Sequence, residues 1–311
     1  MYDNTDLTLP REEARGIDLL KDVPGKLTKL NKTVFENGAV SFTGYLESMK
    51  VRVSERAVKV IDSSLCKWHL GDNFQALSRG DTRQAIEKLG DLLHLPMDRA
   101  TVTRIDVAQN FIMNYEKAMY FDHLGTLQYF QRFQQQNGLY YSNSTKTLVF
   151  YEKAHEQLVK GQTIPELYNG RCVLRYENRY KRRLLQEFNL PELRAAKLYE
   201  AGFYCDLVNR WRSNYENIKK INEIQIDYSI VRTKKQFSNL TILNYIKQRG
   251  GELQVIGEIK DAYKKGDLNK KQAYDLRVQV EQACKADLLT SSSDVILELN
   301  QKVKEAARFY L

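Results

Sequence analysis

Three short segments of alternating side chains constrain this chain more than any other feature: VTRIDVAQNF (Val102 to Phe111), TLVFYEKAHE (Thr147 to Glu156) and VLRYENRYKRR (Val173 to Arg183). Residues two apart on a strand share a face, so each segment reads as a strand with one greasy and one polar side. Arg104, Asp106, Ala108 and Asn110 then look one way from the first strand. Arg175, Glu177 and Arg179 share a face of the last, and Thr147, Val149 and Tyr151 share a face of the middle one. If the three strands are neighbours in one sheet, one carboxylate from each of two strands and one phenol from a third meet on a common surface.

The surrounding pattern supplies such a sheet. Val40 to Ile61 alternates, with turns near Glu47 to Met49 and Ser54 to Arg56, which predicts an antiparallel meander. After a loop at Gly71 to Asn73, Asp81 or Thr82 caps a helix whose apolar positions are Ala85, Ile86, Leu89, Leu92 and Leu93, closed by Pro96. A strand over Val102 to Met113, a short helix around Glu116 to Leu124, and extended runs over Thr126 to Phe133, Leu139 to Ser142 and Lys146 to Tyr151 follow. Lys153 to Lys160 reads as helix, Gly161 to Gly170 as loop and Arg171 to Tyr180 as the last strand. Beyond that the texture is helical. Pro191 is placed at a helix start that runs to about Tyr215, and from Phe237 short helices are separated by Gly250, Gly251, Gly266 and the TSSSD run, where Ser293 or Asp294 caps the last one. The expectation is an α+β fold: an antiparallel-sheet domain over residues 1–185 and a helical region over 186–311 that binds DNA or a partner.

Charge and composition narrow the function classes. The chain of 311 residues carries 48 Lys and Arg against 39 Asp and Glu, a net +9 that suits a nucleic-acid partner without demanding one. Exposed members of its 19 tyrosines can stack on unpaired bases, although most are expected half-buried in strands and helices. Cys66, Cys172, Cys205 and Cys284 stand far apart, which indicates neither a zinc site nor a disulfide framework and fits a reducing cytoplasm. The opening MYDNTDLTLPREEARG is polar and acidic where a signal peptide needs a basic start and an apolar run, and no stretch approaches the ~20 apolar residues of a membrane span. Neither export nor membrane insertion is expected.

The polar faces carry chemistry. Hard divalent cations such as Mg²⁺ or Mn²⁺ take oxygen ligands, so Asp106 and Glu177 with a DNA phosphate oxygen suffice to place one. Tyr151 can attack phosphorus, and because a free phenol near pKa ~10 is a weak nucleophile, a cation such as Lys153 beside it would help. His155 or Glu156, one helical turn on, can accept the proton or add a ligand. Arg104, Arg175, Arg179, Lys181, Arg182 and Arg183 can hold phosphates. Each residue also has a plainer reading: Asp106 as a strand-end acid paired with Arg104, Glu177 as a cross-strand salt bridge between arginines, Tyr151 as a core aromatic, and the RYKRR run as a solvated helix start. His69, His94 and His123 stand singly, with structural or surface roles. No His-x-His pair exists, which excludes the two-histidine metal cradle of many nicking enzymes but not a carboxylate version.

Together the segments resemble the replication initiators of filamentous phages, the gene II type, and related phage and plasmid replication proteins. Thr103 to Asp106 matches the S/T-R-I-D strand, Leu148 to Lys153 the hydrophobic run ending in tyrosine with a lysine two later, and Arg175 to Arg183 the R-F/Y-E-x-R-x-K-x-R strand. In order and spacing the resemblance covers about Thr103 to Arg212. It implies a rearranged relative of the two-histidine nicking fold and an endonuclease and strand transferase that nicks the origin of a circular DNA, stays joined to the 5′ end through tyrosine, and later rejoins the displaced strand. The family tyrosine falls on Tyr151 and the family acids on Asp106 and Glu177; Tyr140 and Tyr141 are the next candidates for nucleophile or can stack on DNA. Implied partners are single-stranded or hairpin origin DNA, a host helicase and polymerase, and a cytoplasmic setting in a bacterial host. A mobilisation relaxase of the same chemistry and a non-catalytic DNA-binding regulator remain alternatives.

Overall fold

All three alternating segments pair within a single sheet of ten strands among the described residues. The structure, a computed structural model, describes residues 1–221, 231–285 and 294–311. In chain order the first half comprises β1 (Tyr2–Pro10), α1 (Leu19–Asp22), β2 (Thr28–Val34), β3 (Val40–Leu46), β4 (Met49–Ser54), β5 (Ala57–Ile61), α2 (Leu65–Leu70), α3 (Arg79–Leu93) and β6 (Thr101–Met113). There follow α4 (Lys117–His123), β7 (Gln131–Gln135), β8 (Gly138–Ser142), β9 (Lys146–Glu152), α5 (Lys153–Val159) and β10 (Cys172–Tyr180). The remainder is helical: α6 (Leu184–Phe188), α7 (Ala201–Glu216), α8 (Lys234–Gln248), α9 (Glu252–Lys265), α10 (Lys270–Lys285) and α11 (Asp294–Tyr310).

The strands run in the order β2-β3-β4-β5-β1-β6-β10-β9-β8-β7, every neighbouring pair antiparallel. Two hairpin-built meanders thus flank a centre of β1, β6 and β10, and β10 slots between β6 and β9. One side of the sheet is greasy. Phe111, Phe150, Tyr176 and Tyr180 point there with Val51, Val53, Val58 and Val60 into one continuous core. Helices α7 and α11 close that core with Trp211, Tyr215, Leu299 and Val303. Tyr176 lies between Phe150, stacked at 4.5 Å, and Trp211 at 5.0 Å, and its hydroxyl donates to the Trp211 carbonyl at 3.1 Å. The helices α8 to α10 have a small core of their own around Leu243, Ile246, Val255 and Val280. On the other side of the sheet the cover is local: Phe74 and Ala154 of α5 pack on Val173.

Several expectations are corrected. Strand β1 is absent from the sequence reading, because two register shifts against β6 break its alternation even though Leu7 and Leu9 keep it against β5. Helix α3 is capped not by Asp81 or Thr82 but by Ser78, which accepts from the Asp81 amide while the Asp81 carboxylate accepts from the Ser78 amide, a reciprocal box that satisfies both donors. Its Leu92 is exposed rather than packed. Residues 126–130 are not strand, and β7 begins at Gln131. Pro191 starts no helix: α6 ends on Asn189 in a left-handed conformation, and the following extended stretch docks on β6, the Leu193 carbonyl accepting from the Val102 amide and the Ala195 amide donating to Ala100. Asp294 lies in the first turn of α11, whereas Ser293 and the rest of the TSSSD run lie outside the described residues. Among the described residues no helix is long and apolar enough to cross a membrane.

Because Trp211 is fully buried between sheet and α11, Trp211→Ala is expected to lower stability by about 3–5 kcal/mol. Urea unfolding followed by circular dichroism measures this, and a midpoint unchanged from the parent would show that α7 is not integral to the sheet's core.

Candidate active site

Strand register decides what the polar residues can do. Across β6 and β10, Arg179 lies opposite Asp106 and Arg175 opposite Asn110; across β10 and β9, Arg175 lies opposite Tyr151 and Glu177 opposite Val149. Asp106, Glu177 and Tyr151 therefore stand on one face, the side turned away from the main core, at successive diagonal positions on three adjacent strands. Tyr140, opposite Val149 on β8, shares that face and stacks on Phe133 at 5.0 Å. Tyr141 does not. It points into the core, buried, and its hydroxyl donates to the Leu124 and Gly125 carbonyls at 2.9 and 2.7 Å.

The two acids are each held by an arginine two residues away on the same strand, as strand alternation allows. Arg104 donates to Asp106 through Nε at 3.0 Å and Nη2 at 2.5 Å, and Arg179 Nη2 donates to Glu177 at 2.9 Å. Asp106 is wholly inaccessible to solvent, and that burial, with the nearby Glu177 carboxylate, outweighs the Arg104 fork and pushes its pKa up to about 7. Lys181, just past β10, is lowered by burial and by the like charges of Arg104 and Arg179. Two buried acids thus sit under three crowded cations.

Across from Tyr151 on β10 lies a second charged group. Arg175 is fully buried; its Nη2 donates to Asp3 Oδ2 at 2.5 Å and its Nη1 to the Asn73 carbonyl at 2.9 Å and Asn110 Oδ1 at 3.1 Å. Asp3 also accepts from Ser64 Oγ at 2.6 Å. Burial pushes the Asp3 carboxyl upward, but Arg175 and Ser64 together hold it below the usual range. Sequence reasoning missed Asp3 and Ser64, since only the pairing of β1 beside β6 brings residue 3 to residue 175. The Tyr151 phenol is half-buried and raised well above its ordinary pKa by burial; Arg175 offsets this in part, while Glu177, Asp3 and Glu156 add to it.

Lys153 is buried beside the Phe74 ring and donates to Glu156 Oε2 at 2.7 Å. Burial pulls Glu156 upward, yet its bonds from Lys153 and Lys160 bring it down to about 2, so it is an ionised, engaged carboxylate. His155 is exposed on the rim of a cleft of about 210 Å³ that Tyr140, Tyr151, Glu156 and Arg179 also line. Arg179 is shared with a second cleft of about 260 Å³, bounded by Thr145, Thr147, Lys181 and Arg182. Arg183 is exposed and, in a left-handed conformation, caps α6. A trough therefore crosses the face, with the phenol at one end and basic groups at the other.

No group of three or more His, Cys, Asp or Glu among the described residues is arranged to hold a metal ion. The pair Asp106 and Glu177 nevertheless offers hard oxygen donors, and the Glu177 charge adds to the rise that burial causes in Asp106.

The family model for the N-terminal region of the phage gene II replication-associated protein matches residues 1–214, which takes in every strand of the sheet and all the residues above. No curated protein matches the chain.

Removing one partner of a buried ion pair strands the other charge. Asp3→Ala is expected to cost about 3–5 kcal/mol through the unpaired Arg175, and the double variant Asp3→Leu/Arg175→Met to recover much of that loss. Thermal denaturation of the single and double variants tests the pairing; equal destabilisation by both would contradict it.

Proposed function

This chain belongs to the phage replication-associated protein family of the gene II type, and within it we propose that the protein initiates rolling-circle replication by nicking and rejoining single-stranded origin DNA through Tyr151. The observation that carries this reading is the register that puts Tyr151, Glu177 and Asp106 on one polar face, beside clefts joined at Arg179. The sheet is then a rearranged relative of the two-histidine nicking fold, with carboxylates where that fold has imidazoles.

In the proposed step Tyr151 Oη bonds to phosphorus of the scissile diester, the bond to the 3′ oxygen breaks, and the products are a 5′-phosphotyrosine and a free 3′-hydroxyl. The phenolic proton leaves to His155, which faces solvent at the cleft rim, and the departing 3′ oxygen takes one up from water. Because one phosphodiester replaces another, the reverse attack by a 3′-hydroxyl rejoins the strand. Arg175, buried against the phenol's strand, stabilises developing phenolate charge, while Arg104, Arg179 and Lys181 neutralise phosphate oxygens. Lys153 orients Glu156 at the cleft wall. Asp106 and Glu177 would hold Mg²⁺ or Mn²⁺, which would polarise the scissile phosphate. Tyr140 offers a face for an unpaired base. The helical region contributes contacts to the origin duplex or to a host helicase, and the setting is the bacterial cytoplasm.

Incubating the protein with labelled single-stranded origin DNA and Mn²⁺ is expected to give an adduct that survives SDS, and Tyr151→Phe to abolish it while binding persists. A normal adduct yield from that variant rejects the nucleophile; absence of any adduct from the parent favours a non-catalytic regulator. A carboxyl raised in the fold is protonated below its folded pKa and cannot ligate a cation, so nicking is expected to rise with pH through about 7 as Asp106 ionises. The same shift makes folding stability fall as pH rises from the unfolded carboxyl's 3.8 to about 7, since over that window the unfolded chain has already lost the proton that the fold retains. Asp106→Asn and Glu177→Gln should each slow nicking by on the order of 10²-fold, and full activity in EDTA would defeat the metal role.

A further inference from the structure

The polar face does not stop at the trough. It continues across the other half of the sheet, where one register row runs Asn31, Thr43, Arg52, Lys59, Thr8 and Thr101 over six adjacent strands. Behind this row Val51, Val53, Val58 and Val60 are buried in the core, while Arg52 and Lys59 are exposed. Every side chain in the row can donate a hydrogen bond, and none is acidic. Arg52 and Lys59 lie directly opposite each other on β4 and β5, and among the described residues neither has a carboxylate partner within ion-pair distance. Like charges facing each other across a strand pair repel. Lys50 one step away, by contrast, is paired with Asp62 at 3.7 Å.

We propose that this row is a second DNA-contact surface that grips the phosphate backbone of the duplex flanking the nick site. An unbalanced cross-strand pair of cations within a row of short hydrogen-bond donors matches a polyanion. Duplex rather than single strand is favoured because the row carries no aromatic ring to stack on bases. The aromatic pair Phe133 and Tyr140 lies at the opposite end of the same face. Lys59 is four strands across from Tyr151 and about nine residues along, a diagonal of roughly 35 Å, or about one turn of B-DNA. Phosphates held by the row thus lie on the same side of the duplex as the strand entering the trough. The choice of DNA as partner rests on the replication reading above; the row and its unpaired charges do not.

The test uses the full chain, a labelled hairpin of random stem sequence at least one helical turn long, and the isolated single strand of its loop. Arg52→Ser/Lys59→Ser is expected to lower the slope of log affinity against log salt by about 1.8 on the hairpin, to leave the loop strand's slope unchanged, and to leave Tyr151 adduct yield on the loop strand unchanged. Lys59→Thr alone should remove about 0.9, and neither variant should unfold at a lower temperature than the parent. Cutting the stem to half a turn should erase the difference. An unchanged hairpin slope, an equal loss on both probes, or a preference for anionic lipid vesicles over the hairpin overturns the proposal. If the parent forms no adduct but the hairpin slope responds as stated, the catalytic reading fails and the duplex contact stands.

Discussion

The pairing of Asp3 with Arg175 is the interaction on which the rest depends. A buried guanidinium needs partners for its charge, and Asp3, Asn110 and the Asn73 carbonyl supply them to both Nη groups from β1, β6 and the loop before α3, while Nε makes no hydrogen bond. These contacts tie the two centre strands to β10 and hold a positive charge across from Tyr151. The same guanidinium thus serves packing on one side and electrostatics on the other.

Ten strands with one greasy face and one polar face divide the labour of the molecule. Helices α7 and α11 cover the greasy face, where Tyr176 of β10 packs on Trp211 of α7. The polar face carries the small Phe74, Ala154 and Val173 cluster, buries Asp106, Glu177 and Arg175 at its centre, exposes Arg52 and Lys59, and changes its chemistry from strand to strand. Aromatic rings lie at the β7 and β8 end, the acid pair with its cations in the middle, and hydroxyls with unpaired cations towards β4 and β5.

At rest the site is quiet. Burial raises the Tyr151 phenol, Arg104 and Arg179 occupy the two acids, and Glu156 is engaged by lysines. A phosphate entering the trough competes for those arginines, and the carboxylates they release are the oxygens a divalent cation would take. Under the proposed function, DNA itself therefore completes the site, which keeps the phenol inert towards other nucleophilic chemistry.

The sequence by itself determined the strands with clean alternation, the meander over β3 to β5, β6 and β10, because a period of two is a local property of side chains against one buried face. It also showed that Arg104, Asp106, Glu177 and Tyr151 each stand on a polar strand face, and its motifs pointed to the family that the match over residues 1–214 shows. It did not reveal β1, whose bulges break the period, nor the cap at Ser78, nor the true start of α7. Tertiary structure alone decided the insertion of β10 between β6 and β9, the partnership of Asp3 with Arg175, and the sending of Tyr141 into the core while Tyr140 faces the trough. Those are pairings between residues far apart in the chain, set by strand register and by the need to satisfy buried charge, and no local pattern encodes either.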